Sequence, residues 1–213
     1  MNIAPTYAIA PNGIFWTLQG EGHLRGFQMA FVRLAGCSVG CPGCDTNYTV
    51  AEKLGVPELL ARVTAVMPDG DRDQWVWITG GEPADRDLRP LLSGLKSLGY
   101  ATAVATSGVK RVIPPIDWLS VSPHSAEPTR FQQRYGNEVK LAEGLNGLDL
   151  DAWYAAFPDD KTDFMYRYVQ PLWIGDAETG HEDPKSLKRC MDFLKRHPRW
   201  ALSRQDHKAW SVP

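Results

Sequence analysis

"MAFVRLAGCSVGCPGC", residues 29–44, is an apolar, strand-like run that passes directly into a loop of three cysteines. Its first half, 29–36, has the length and composition of a strand. Working outward, further strand candidates are "QWVWITGG" (74–81), "ATAVATSG" (101–108), "DWLSVSPH" (117–124), "NEVKLA" (137–142), "FMYRYVQP" (164–171) and "WALSRQDH" (200–207). Helical stripes lie between them. Leu59, Leu60, Val63, Val66 and Met67 share one face after Pro57, and Leu88, Leu91, Leu92, Leu95 and Leu98 share another before Gly99. Asp183 is placed to cap a last helix that Pro184 opens, with Leu187, Cys190, Met191 and Leu194 on one face. The stretch "YGNEVKLAEGLNGLDLDAW" (135–153) reads as partly loop-like.

Strand and helix in alternation predict parallel βα units. A complete eight-unit barrel typically takes ~250 residues. The 213 residues here supply about six units. The expectation is therefore one α/β domain over 1–213, an incomplete (βα)6-type partial TIM barrel, with an open doubly wound sheet as the alternative. In either fold the chemistry collects at the C-terminal ends of the strands. The unusual residues lie there: Cys37, "GGEP" (80–83), "TSG" (106–108), "SPH" (122–124) and "QP" (170–171).

Composition narrows the function classes. With 23 Lys and Arg against 25 Asp and Glu, net charge is −2, without the basic footprint of a nucleic-acid-binding protein. No stretch approaches the ~20 apolar residues of a membrane span. The N-terminus lacks the pattern of a signal peptide. A cytoplasmic protein with no membrane or nucleic-acid partner is expected, in a compartment where neighbouring cysteines bind metal or do redox chemistry.

Cys37, Cys41 and Cys44 are spaced C-x3-C-x2-C. A structural zinc site normally wants four Cys or His ligands, and the fourth is not obvious. Cys190 falls on an apolar helix face, where a thiol behaves as a small hydrophobe. His23 and His124 are open possibilities. A thiol-redox reading needs only Cys41-Pro-Gly-Cys44 and leaves Cys37 unused. A four-iron cluster on three thiolates uses all three and leaves one iron for an outside ligand. S-adenosylmethionine can chelate that iron, and one-electron cleavage then yields an adenosyl radical.

The cysteine spacing after a first strand, together with "ITGGEP" (78–83), resembles the radical S-adenosylmethionine superfamily. "TLQGEG" (17–22) followed by "FVRLAGC" (31–37) is similar to the 7-carboxy-7-deazaguanine synthase family. The likeness continues through "CDT" (44–46), "TGGEP" (79–83), "SP" (122–123), "QP" (170–171) and "HK" (207–208), over nearly the whole chain. The resemblance implies a lyase that converts 6-carboxy-5,6,7,8-tetrahydropterin to 7-carboxy-7-deazaguanine with loss of ammonia, in 7-deazapurine (queuosine-type) biosynthesis. It also implies a [4Fe–4S] cluster, S-adenosylmethionine, Mg²⁺, an external flavodoxin-like or ferredoxin-like electron donor, and a homodimer. A glycyl-radical activase and a zinc-binding module are the alternatives.

By resemblance, the cluster ligands are Cys37, Cys41 and Cys44, and Thr46 holds Mg²⁺. Substrate contacts fall on Leu18, Gln19, Gly20, Arg33, Thr79, His207 and Pro213. S-adenosylmethionine contacts fall on Gly43, Cys44, Asp45, Gly81, Ser122, Pro123, His124, Gln170, Pro171, Leu172 and Trp173. The residue types suit these tasks. A planar Arg33 fork matches a carboxylate, a hydroxyl oxygen at Thr46 suits Mg²⁺, and a glycine at 81 lets a ligand approach backbone. The edge of a pterin could be read by Gln19, Glu21 and nearby amides, and its amino edge could donate to the α-carboxylate of Pro213. Two departures from the family pattern stand out. His124 occupies the position of the usual lysine in S-P-K, and Ala105 that of the glutamate in E-T-N-G.

Overall fold

The computed structural model describes residues 5–42, 44, 46–68, 74–113, 115–175 and 179–213. In chain order the strands are β1 (Thr6–Leu18), β2 (Gln28–Leu34), β3 (Glu52–Gly55), β4 (Trp75–Gly80), β5 (Ala101–Thr106), β6 (Trp118–Val121), β7 (Tyr135–Ala142), β8 (Asp163–Gln170), β9 (Trp173–Ile174), β10 (His181–Glu182) and β11 (Ala201–Leu202). The α-helices are α1 (Val56–Val66), α2 (Arg89–Ser97), α3 (Leu150–Ala156), α4 (Pro184–Arg196) and the short α5 (Asp206–Ala209).

One nine-stranded sheet runs β11-β8-β7-β6-β5-β4-β2-β1-β3. From β2 through β11 every neighbouring pair is parallel, and the order follows the chain without reversing. A doubly wound sheet would reverse at a switch point; this one does not. The seven predicted strands are all present, although the last, expected over 200–207, is only Ala201–Leu202, and Asp206 and His207 fall in α5. Not evident in the sequence are β1, which pairs antiparallel with β2, β3, which pairs antiparallel with β1, and the short antiparallel pair β9–β10. Asn12-Gly13 and a register shift between Ile9 and Ile14 interrupt the alternation of β1, which hides its period of two. Not every crossover is helical. Among the described residues there is no helix between β5 and β6, and between β6 and β7 only a 3-10 turn at Pro128–Arg130.

The sheet has two buried faces. Val32, Ile78, Val104, Val121, Val139 and Val169 have no exposed surface and pack under the helices. This explains why α1 and α2 bury Leu59, Val63, Leu91, Leu92 and Leu95. In α4, Asp183 accepts from the backbone N–H groups of Lys185 and Ser186, as an N-cap should. Its buried face is Ser186, Cys190 and Phe193, so Met191, expected inside, points to solvent. The predicted loop region contains α3, capped by Asp149 onto Ala152 N–H.

On the opposite face Phe31, Trp77, Ala103 and Trp118 stand in one register row across four strands. They form an apolar floor with Leu24 and Met29. Side chains alternate faces along a strand, so the same face continues C-terminally into a polar row. Arg33 pairs with Thr79, while Ala105, Ser120, Glu138 and Tyr166 stand opposite one another in turn. Among the described residues no helix is long and apolar enough to cross a membrane.

Candidate active site

The cysteine loop leaves β2 under tight backbone control. Ala35 N–H donates to Ala8 C=O at 2.8 Å and Gly36 N–H to Tyr48 C=O at 2.8 Å. The Arg86 guanidinium donates to Ala35 C=O at 2.7 Å, and Asp85 accepts from Ser38 N–H (2.8 Å) and Ser38 Oγ–H (2.6 Å). Lys110 in turn pairs with Asp85 at 2.6 Å. Cys37 and Cys41 are half-buried, Cys44 is exposed, and all three are free thiols. Burial raises the Cys41 thiol, and the neighbouring Cys44 and Cys37 raise it further. His124 Nδ1 lies 3.5 Å from Cys41 Sγ, and its carbonyl accepts from Asn146 Nδ2 at 3.0 Å. Cys44 Sγ lies 3.7 Å from Thr46 C=O. Cys190, in contrast, sits inside the helix layer, where burial pushes its thiol up to about 12. Gly43 and Asp45 lie outside the described residues.

The glycine turn after β4 is pressed against this loop. Gly81 N–H donates to Leu34 C=O at 2.7 Å. A Cβ on Gly81 would lie 1.8 Å from Gly36 O, and one on Gly80, at φ +102°, would lie 2.3 Å from Leu34 O. No side chain fits either place. Glu82 is buried, and its carboxylate ties this turn to the next strand end. It accepts from Ala84 N–H (2.9 Å), Thr106 Oγ–H (2.6 Å), Ser107 N–H (2.9 Å) and Ser107 Oγ–H. Ser122 N–H donates to Thr106 C=O at 2.8 Å, which carries the connection on to "SPH". The glycines stand out in the sequence, whereas Glu82 does not. Its signal was a lone carboxylate between Gly81 and Pro83 at a strand end.

A second group gathers around "TLQGEG". Gln19 is buried; its backbone exchanges hydrogen bonds with Gly26 and Phe27, and its side-chain oxygen accepts from Glu21 N–H at 3.1 Å. Leu18 is the last β1 residue and pairs with Gln28. Gly20 touches the segment after β11: its C=O accepts from Asp206 N–H at 3.0 Å, and a Cβ there would lie 2.4 Å from His207 Nδ1. The structure thus brings Gln19, Gly20 and His207 together, residues nearly two hundred positions apart. Val212 N–H donates to His207 C=O at 3.1 Å, so the turn leading to the exposed Pro213 is anchored there. Arg33 is half-buried, with its guanidinium 4.6 Å over the Phe15 ring, and stands opposite Thr79.

Three findings differ from the simplest reading of these residues. Glu21 is committed to protein partners, an ion pair with Lys140 and a 3.0 Å hydrogen bond from Gln205 Nε2. Burial opposes its charge, but Lys140 and His207 outweigh that and hold its carboxyl down at about 2. The Gln170 side-chain oxygen accepts from Ser203 Oγ–H at 2.8 Å, and Leu172 N–H donates to Ser186 Oγ at 3.1 Å. Any contact from these two to a cofactor would come from their remaining atoms. Pro171 and Trp173 continue this segment into β9, where Trp173 pairs with Glu182. Ala105 offers no carboxylate, while Glu138, two strands away in the same row, is buried with Ser120 Oγ–H donating to it at 2.7 Å.

No protein-family model matches the chain. Individual relatives do. It is 35% identical over 225 residues to the 7-carboxy-7-deazaguanine synthase of Burkholderia multivorans, covering 98% of this chain and all of that protein. It is 32% identical to the enzyme of the same name from Nitratidesulfovibrio vulgaris, covering 94% of this chain and 97% of that protein. The crystal structure of QueE from Escherichia coli superposes with a TM-score of 0.68 at 28% identity, covering 94% of each chain. A mixed α/β fold with a parallel sheet and relatives named as synthases mark the chain as an enzyme. The chain belongs to the 7-carboxy-7-deazaguanine synthase family.

Proposed function

We propose that this protein is a radical S-adenosylmethionine lyase that forms 7-carboxy-7-deazaguanine from 6-carboxy-5,6,7,8-tetrahydropterin with release of ammonia. The observation that carries the reading is the contact of the three-cysteine loop with the Gly80-Gly81 turn at one end of the parallel sheet. Three neighbouring thiols and no fourth fit a cluster with one open iron, and the bare backbone of the turn fits a ligand that must lie against it. We read the in-order parallel sheet as the incomplete barrel, and residues 1–213 as one catalytic unit.

In this reading Cys37, Cys41 and Cys44 would hold a [4Fe–4S] cluster, and Thr46 a Mg²⁺ ion. Gly43 to Asp45, Gly81, Ser122 to His124 and Gln170 to Trp173 would face S-adenosylmethionine. When bound, these groups supply one-electron reduction and a hydrogen-abstracting radical. The protein's own residues orient the pterin. Arg33 offers a guanidinium fork for its carboxylate, Thr79 a hydroxyl beside it, and Leu18, Gln19, Gly20 and His207 the opposite wall. The Pro213 segment closes on the amino edge. The apolar floor of Phe31, Trp77 and Trp118 keeps water from below. A flavodoxin-like or ferredoxin-like donor, a homodimeric state and a place in queuosine-type biosynthesis complete the reading. A glycyl-radical activase or a zinc module gains no support from the relatives.

The test is direct. Anaerobically reconstituted protein is incubated with 6-carboxytetrahydropterin, S-adenosylmethionine, Mg²⁺ and a reductant, and products are separated by mass spectrometry. Brown protein containing iron and sulfide, and a product of the mass of 7-carboxy-7-deazaguanine, are expected. Colourless zinc protein, or unconsumed pterin beside an intact cluster, overturns the reading.

A further inference from the structure

Two charged side chains face inward from β7, and the functional reading uses neither. Glu138 is 1% exposed and Lys140 7%. Burying charge on a sheet face is costly unless every charge is paired and hydrogen-bonded. Lys140 is ion-paired and Glu138 is hydrogen-bonded, and all but one of these partners lie in a single short segment. Glu138 accepts from His23 N–H at 2.8 Å and from Ser120 Oγ–H at 2.7 Å. Lys140 pairs with the Glu21 carboxylate. Between these anchors Gly22, at φ +67°, donates its N–H to Ser203 Oγ at 3.0 Å, and a Cβ there would lie 2.5 Å from the Glu138 carboxylate oxygens. The His23 ring completes the attachment, stacked 3.7 Å from Tyr166 and 5.4 Å from Trp118.

We propose that Glu138 and Lys140 are positioning residues, a buried clamp that holds Gln19–His23 in the one conformation able to present Gln19, Gly20 and His207 to the pterin. The inference rests on the functional reading for its substrate, but the clamp itself is a matter of geometry. A loop joining β1 to β2 would otherwise be among the most mobile parts of such a fold. Exposed ion pairs would hold it weakly. Contacts to buried charges fix direction as well as position, because leaving either charge unpaired is costly. The clamp also acts at a distance. Gly20 touches His207, and Arg25, two residues past His23, pairs with Asp206, so holding the loop holds the tail against it.

The experiment uses K140M, E138Q, the double variant E21Q/K140M, and S203A. S203A removes one anchor without stranding a charge and keeps the test available if a charge variant does not fold. Two measurements are made on holoprotein with wild-type iron content. The first needs no turnover: the rate of tryptic cleavage after Arg25. It is expected to rise about tenfold in K140M and E138Q and about threefold in S203A. The second is steady-state kinetics. In K140M and E138Q, KM for the pterin is expected to rise about tenfold with S-adenosylmethionine affinity within about twofold of wild type. E21Q/K140M should be no worse than K140M, since both changes break one contact. Unchanged cleavage at Arg25 overturns the clamp. Faster cleavage with an unchanged pterin KM overturns the positioning role. Additive losses in the double variant also overturn it, because Lys140 would then touch substrate itself. Absence of any pterin turnover in the wild type would overturn the functional reading instead, while the cleavage rates still decide the clamp.

Discussion

Consider replacing Glu82 by Gln, a change of almost no volume. The Glu82 carboxylate is buried and accepts from four donors, two on each oxygen: Ala84 N–H and Thr106 Oγ–H on one, Ser107 N–H and Ser107 Oγ–H on the other. An amide has one oxygen and one NH2. The two hydroxyls can rotate and accept from the new NH2, but a backbone N–H cannot. Whichever way the amide turns, either Ala84 or Ser107 faces a donor with a donor. A buried donor left unsatisfied costs about 1–3 kcal/mol. The remaining bonds also lose their ionic character, worth about another 1 kcal/mol. A loss of about 3 kcal/mol is expected. In urea, with m of about 2–3 kcal/mol/M for a domain of this size, the midpoint falls by about 1–1.5 M. The Gly80-Gly81 turn hangs on this carboxylate, so affinity for S-adenosylmethionine should fall about tenfold even in buffer where E82Q is fully folded. A stability change below about 0.5 kcal/mol would refute the reasoning about the four contacts. A full stability loss with intact S-adenosylmethionine affinity would refute the role of the turn.

Three further outcomes are expected. Ser at Cys37, Cys41 or Cys44 should abolish iron-dependent absorbance, whereas C190S should keep full iron content and lose only packing stability; equal iron loss in C190S would contradict the three-ligand assignment. G20A places a methyl group against the ring, Cβ and backbone nitrogen of His207, so pterin KM should rise about tenfold with iron unchanged, and wild-type kinetics would show that the whole His207 segment shifts at no cost to the site. Glu21 is depressed from 4.5 to about 2 when folded, so its stabilisation is complete above the unfolded value and lost as pH falls through the folded one. The unfolding free-energy gap between wild type and E21Q should be flat from about pH 8 to 5.5 and shrink by at most about 3 kcal/mol toward pH 2; a gap constant throughout would show that the Lys140 pair contributes nothing.

Much of this protein was legible from local pattern. The seven parallel strands announce themselves because apolar runs of that length, bounded by glycine and proline, have few other uses. Asp183-Pro184 marks a helix start because capping is a property of neighbouring residues alone. The spacing of Cys37, Cys41 and Cys44 is likewise local, as is the glycine pair at 80–81. What was not legible depends on partners distant in sequence. The β1 strand was hidden by its bulge at Asn12-Gly13, and Met191 was placed inside because helical periodicity fixes a stripe but not which edge of it meets the sheet.

The same division runs through the site. Residue type and spacing determined by themselves that a three-thiol loop would follow the first parallel strand and a bare glycine turn the next, because ligand chemistry and steric freedom belong to the residues. Only the tertiary structure decided that Glu82 joins the glycine turn to Thr106 and Ser107, that Gly20 meets His207, and that Glu138 and Lys140 carry charge into the sheet to hold Glu21 and His23. A buried charge is tolerable only when its partners are delivered by other strands, and which strands deliver them is set by sheet order and register, information that no single stretch of the chain contains.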